Sequence, residues 1–202
     1  QNIMATNWNL DTTHSEPKIT RTVIIPEDFS FHQLHTVIQC VMNWDNAHLY
    51  QFNTGAAFRS DTIALEDEED EEDDFGFSFN SFKKINSEET KVSDYFNNNL
   101  KKMLYIYDFG DDWRHIISVQ KKPTEDVLFP KCVKGANAAP MEDCGGIWRH
   151  ENLLEISQKK RKSAEEKEML AWYGIPTDKT FEEVYPFDID TVNKILLKVF
   201  SS

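Results

Sequence analysis

The residues best placed to do chemistry lie between Leu104 and Val119, where two runs with strand character meet at the acidic turn Asp108-Phe109-Gly110-Asp111-Asp112, with Trp113 and His115 just beyond. What they can do depends on register, because a one-residue slip turns every side chain of a strand to the other face. A two-residue turn at Gly110-Asp111 puts Asp108 opposite Trp113 and diagonal to His115, on the face of Ile106. An imidazole beside a carboxylate is then a general base held in one tautomer, or a metal ligand backed by an acceptor. A three-residue turn, Gly110 to Asp112, instead groups Tyr105, Tyr107 and Phe109 with Trp113, His115 and Ile117 and sends Asp108 the other way. The plainer alternative is a partly buried His115 tied to a structural Asp108, while Asp111 and Asp112 serve the turn. Asp108-Phe109-Gly110 also matches the metal-holding triplet of protein kinases. The chain has neither a Gly-rich phosphate loop nor a His-Arg-Asp loop, which excludes that chemistry.

A second concentration of reactive types runs from Cys132 to Gly146 and contains Glu142-Asp143-Cys144-Gly145-Gly146. Eleven residues separate Cys132 from Cys144, so the pair is not a C-x-x-C zinc knuckle. Both thiolates with His115, and a fourth ligand from His48, His150 or Asp143, would make a tetrahedral site for zinc or another divalent metal if the fold gathered them. Cys144 near a helix start is alternatively a thiolate nucleophile, and plain structural thiols are the third option. The paired glycines permit positive φ and close packing ahead of a helix.

These segments need elements to hold them. Ile19, Arg21, Val23 and Ile25 alternate as a strand with one buried face, closed by Pro26. Ser30 with Gln33 has the spacing of a capping box, and Phe31, Leu34, Ile38 and Val41 recur at helical intervals, which predicts a helix from Phe31 to about Asn43. His32, His35 and Gln39 read as a flank of that helix rather than as ligands. His48 to Asn53 predicts a strand, with Thr54-Gly55 turning into a second one over Ala56 to Arg59. Val92 to Phe96 reads as a short helical turn, Phe129 to Val133 as an edge strand, and Trp148 to Gln158 as a helix. Ser163 with Glu166 opens another helix that stops at Gly174, and Asp190 caps a last one presenting Val192, Ile195, Leu196 and Val199. Strands in the middle and helices at the end make an α+β pattern. It has a mainly antiparallel sheet, a helix after the first strand and a C-terminal helical segment packed against the sheet. Residues 1 to 17 read as a loosely ordered lead-in, although Trp8 and Leu10 could seat a strand, and residues 18 to 202 as a single domain.

Nine acidic residues run unbroken from Glu66 to Asp74 and carry most of the net charge of -13. Such a run repels itself and predicts a disordered insertion at 66–74. The remainder is mildly acidic and shows no basic stripe, which argues against direct binding to a phosphate backbone. Three cysteines are too few for a disulfide scaffold and suit a reducing compartment. With no apolar run of about 20 residues and no signal-peptide pattern, the expectation is a cytoplasmic protein without a membrane span.

The two motifs together and in order resemble a known family: the plasmid pRiA-type, third-open-reading-frame-like proteins, also labelled TnpR-like passenger proteins of insertion sequences. The resemblance rests on Tyr107-Asp108-Phe109-Gly110-Asp111 with Trp113 and His115, then Cys132, Gly135, Pro140, Glu142, Asp143, Gly145 and Gly146. It extends upstream through Leu34-His35, Trp44, His48-Leu49 and Phe52, and downstream to Val192-Asn193, covering roughly residues 18 to 200. Thr20-Arg21 stands where the family usually has Trp-Arg-Arg, and Met141 where a second Pro is usual. The resemblance implies an α+β fold and an association with plasmids and mobile elements, and it implies no reaction. Resolvase chemistry would need a nucleophilic Ser among arginines and a basic DNA-binding region, and neither is present.

Three functional classes follow. The first is a non-catalytic binding or adaptor protein, using Tyr107, Asp108, Asp111, Trp113, His115, Glu142 and Asp143 as one surface for a protein or small-molecule ligand. The second is a metal-dependent, hydrolase-like enzyme with Asp108 and His115 at the ion, joined by His48, Cys132 or Cys144. The third, a nucleic-acid accessory of a mobile element, rests on the family association alone. All depend on the hairpin and the glycine-flanked loop meeting in space.

Overall fold

The structure, a computed structural model, describes residues 5–54, 61–65, 84–96, 100–119 and 127–201. Among them the sheet strands are β1 (Ala5–Thr12), β2 (Thr20–Pro26), β3 (Tyr50–Asn53), β4 (Thr62–Ala64), β5 (Lys84–Asn86), β6 (Lys102–Tyr107), β7 (Trp113–Val119) and β8 (Lys131–Ala136). The helices are α1 (Phe31–Met42), α2 (Val92–Tyr95), α3 (Gly146–Gln158), α4 (Ala164–Trp172), α5 (Phe181–Val184) and α6 (Ile189–Phe200). The strands form one sheet in the order β5-β4-β3-β6-β7-β1-β2-β8, antiparallel except for the β4–β5 pair. This is the α+β class the sequence predicts.

Within the lead-in, Trp8 and Leu10 do seat a strand, β1. Trp8 and Leu10 are buried, and the strand lies inside the sheet between β2 and β7, pairing Trp8 with Val23 and with Val119. Only Trp8 and Leu10 stand out in a segment of otherwise mostly small or polar residues, and its order comes from partners on both sides. The acidic run 66–74 and the strand expected over 56–59 lie outside the described residues.

Helix α1 begins as its sequence requires. The Ser30 side chain accepts from the Gln33 amide, and the Gln33 side chain accepts from the Ser30 amide. Its buried stripe, Leu34, Val37, Ile38 and Val41, lies over Trp8, Leu10, Val23 and Ile117 of the sheet. At the other end α6 packs along β8 and α1. Its cap is Asp188, not Asp190, because the Asp188 carboxylate accepts from the amides of Asp190 and Thr191. Asn193 of α6 accepts from the Cys132 amide at 2.8 Å and donates to the Cys132 carbonyl at 2.9 Å. One side chain thus satisfies both backbone groups of Cys132 on β8, an edge strand that would otherwise be more open to unwanted pairing there.

The β6–β7 connection settles the hairpin register. Tyr107 faces Trp113 and Tyr105 faces His115, so five residues, 108 to 112, make the loop. Neither turn length considered above applies. The face parity is nonetheless that of the three-residue option: Tyr105 and Tyr107 share the core side with Trp113, His115 and Ile117, all buried.

Candidate functional site

Asp108 and Asp112 adopt left-handed φ of 55° and 54°, a region that Asp tolerates better than most side chains, and they let the loop curl back on itself. The Asp112 amide donates to the Asp108 carbonyl at 2.7 Å, and Asp108 Oδ1 accepts from the Gly110 amide at 2.9 Å. The Asp108 amide donates to the Leu49 carbonyl at 3.0 Å, which draws His48 alongside. The carboxylate therefore meets His48, 3.7 Å from Oδ2, and not His115.

The glycine-flanked loop comes to the same place. Gly145 donates to Asp111 Oδ2 at 2.9 Å. Gly146, at φ 78°, lies so close that a Cβ there would meet the Asp111 carbonyl oxygen at 2.8 Å, which is why glycine is required. Glu142 accepts from the Tyr107 hydroxyl and from the Asp45 and Ala47 amides, and the Tyr107 oxygen in turn accepts from the Ala47 and His48 amides. Burial and the bond to Glu142 push the Tyr107 phenol well above its ordinary value, so it stays protonated as the donor. Trp44 stacks on Tyr107 at 4.9 Å and donates to the Pro140 carbonyl at 2.9 Å. The segment after α1, the β6–β7 loop and the 137–145 loop are thus tied together.

On this junction His48 Nε2 lies 2.8 Å from Asp143 Oδ1. Among the described residues, His48, Asp108 and Asp143 are the group of three metal-ligating side chains whose atoms all fall within 4.8 Å of one another. Asp143 is 71% exposed at its side chain and Asp108 only 10%, so the cluster runs from the surface inward. Leu49 and Phe109, each more than half exposed, flank it in sequence.

Several expected site residues are not here. His115 is fully buried, its Nδ1 3.1 Å from Thr12 Oγ1, and burial with Arg21 nearby drives its pKa down to about 3. A neutral core histidine of this kind is not a general base at the surface, and Trp113, 1% exposed, is not a contact residue either. The set His48, His115, Cys132 and Cys144 does not gather. Cys132 is buried beneath α6, and Cys144 is buried with its thiol pushed up to about 12 by burial and by Asp111. That thiol is no nucleophile at neutral pH. Of the proposed surface, Asp108, Asp111, Glu142 and Asp143 come together, with Tyr107 as their buried brace. His35 and Gln39 are no mere helix flank. Gln39 donates to the Tyr105 hydroxyl, which bonds His35 Nδ1, while His35 Nε2 bonds Asn46 Oδ1 and the Asn46 amide returns to Gln39 Oε1. The sequence reading missed Asp45 to Ala47, whose backbone binds Glu142 and Tyr107. Backbone donors leave no mark on residue type, and only the turn-prone Asp45-Asn46 could have hinted at them.

Known proteins share this architecture. A curated relative, the uncharacterized protein y4hQ of Sinorhizobium fredii, is 30% identical over 143 residues, which is 70% of this chain and 67% of that protein. The crystal structure of a protein of unknown function, MM3350 from Methanosarcina mazei Go1, superposes with a TM-score of 0.74 at 29% identity, covering 95% of this chain and 97% of that one. The model of the plasmid pRiA4b ORF-3-like proteins matches residues 5–194, from β1 into α6. The chain therefore belongs to the plasmid pRiA4b ORF-3-like protein family.

Proposed function

We propose that this protein is a binding or adaptor protein whose recognition surface is the junction of the β6–β7 loop with the 137–145 loop, completed by His48. The observation that carries this reading is the direct attachment of the two loops through the Asp111–Gly145 hydrogen bond of 2.9 Å. The bond joins the loops that carry Asp108 and Asp143, and Leu49 and Phe109, the exposed apolar neighbours of His48 and Asp108 in sequence, border this stretch. An acidic patch with an apolar rim suits a partner offering a basic group beside an apolar one. Selection of a random peptide display library on this protein tests the reading. The expected outcome is enrichment of Lys- or Arg-containing peptides that is lost on Asp143→Asn and Asp108→Asn. Enrichment indifferent to both substitutions, or none at all, refutes it.

A second reading is favoured by the His48, Asp108 and Asp143 group. One imidazole and two carboxylates suit a divalent cation such as manganese or zinc with further positions left to water, the donor set of a metal-dependent, hydrolase-like enzyme. Titration with Mn2+ or Zn2+ separates the two. One-to-one binding abolished by His48→Ala supports the cation, and absence of binding removes it.

A further inference from the structure

A separate cavity of about 440 Å3 opens between the C-terminal end of α1, the 139–142 segment and the 184–195 segment that enters α6. Its wall includes Arg21, which is 1% exposed. A buried charge is normally balanced by an opposite one, because desolvation costs several kcal/mol, on the order of the whole stability of a domain. Arg21 lacks that balance: among the described residues no carboxylate pairs with it. Nε donates to the Val41 carbonyl at 3.1 Å, and Nη1 donates to the Thr20 and Ala136 carbonyls at 2.8 Å each. Phe187 lies against the guanidinium, its ring centre 4.0 Å from Cζ. These contacts are neutral and leave Nη2 without a hydrogen bond among the described residues. Burial lowers the Arg21 pKa only to about 10, so the group is charged at neutral pH.

The rest of the wall says what kind of anion fits. Val41, Met42, Met141 and Ile195 are apolar and suit an apolar ligand body. Three acids share the wall, and two are committed elsewhere: Asp188 caps α6, and Glu142 holds Tyr107 and the 45–47 backbone. With Asp45 they oppose a multiply charged ligand, and one guanidinium edge neutralises one charge. We propose that this cavity binds a small monocarboxylate with an apolar tail, anchored by Arg21. The cavity shares the 139–142 segment with the junction proposed above but contains none of His48, Asp108 and Asp143, and its binding of a carboxylate does not depend on the reading of that face.

Calorimetric titration of the full chain with hexanoate, with the uncharged hexanamide and with inorganic phosphate tests this. The expected result is one-to-one hexanoate binding, at least about tenfold weaker binding of hexanamide because a charge-assisted hydrogen bond is lost, and little binding of phosphate. Arg21→Met should abolish hexanoate binding. Because that variant removes a buried structural group, Met141→Trp provides an independent arm: it fills the cavity, leaves Arg21 in place and should also abolish binding. No hexanoate binding to the unsubstituted protein, equal binding of hexanamide, preferential binding of phosphate, or unchanged hexanoate affinity in a folded Met141→Trp would each overturn the proposal.

Discussion

Acid should unfold this protein through three histidines that its core holds uncharged. Burial lowers the pKa of His35 and His115 to about 3 and that of His150 to about 4. In the unfolded chain each returns to an ordinary value of about 6.5. The unfolded state therefore binds more protons wherever the pH lies below about 6.5, and stability falls as pH falls, until the folded form itself protonates near pH 3 to 4. Each group approaches a limiting slope of about 1.4 kcal/mol per pH unit below its unfolded pKa, so the three together remove about 5 kcal/mol between pH 6.5 and pH 5, comparable with the whole stability of a typical domain. Glu166, Glu183 and Asp188 have lowered pKa values, so their stabilisation is lost only as pH falls below the ordinary carboxylate range and does not touch this window. Urea unfolding followed by tryptophan fluorescence at intervals from pH 7.5 to 5 measures the slope directly. A limiting uptake of about three protons is expected, falling to about two in His150→Leu, which also discards a buried Nδ1 without a hydrogen bond among the described residues. A slope below one proton, or a stability maximum on the acid side, would refute the reasoning.

Two further outcomes follow from close contacts. Gly146→Ala should destabilise the fold by about 1–3 kcal/mol through its positive φ and its approach to the Asp111 carbonyl, and should speed hydrogen exchange at the Gly145 amide. Gly135→Ala drives a Cβ into the Phe187 ring and should cost about 1–3 kcal/mol in chemical denaturation, with Phe187→Leu restoring part of the loss.

Local rules carried the sequence reading wherever both partners of an interaction lie within a few residues. Ser30 with Gln33 and Ser163 with Glu166 form the capping boxes that their spacing predicts. The helical stripe of α1 is buried as its period requires, and Gly174 takes the left-handed φ expected of a helix stop. Reading failed where the deciding partner is remote. Nothing within Ala5–Thr12 reveals that β7 lies beside it, and nothing near Asp108 tells that Leu49 captures its amide and turns the carboxylate toward His48. The meeting of the hairpin with the glycine-flanked loop was a premise rather than a reading, since the paired glycines by themselves signal only positive φ and close packing ahead of a helix. The chemistry of that meeting was not legible, because His115 and the cysteines are reactive types that the core has taken for packing. The short α5 and the parallel β4–β5 pair escaped notice for want of any periodic run.

The place of β1 has a bearing on how this chain reaches its native state. Its partner β2 follows almost at once, but Leu10 must find Ile117 across more than half the polypeptide. During synthesis the first hairpin therefore waits with one flank unsatisfied until β7 has emerged, and closing so large a loop is slow. The interval leaves a ribbon edge bearing Trp8 and Leu10 open to adventitious pairing, so the yield of native protein should depend more on what shields that edge than on the strength of the finished core.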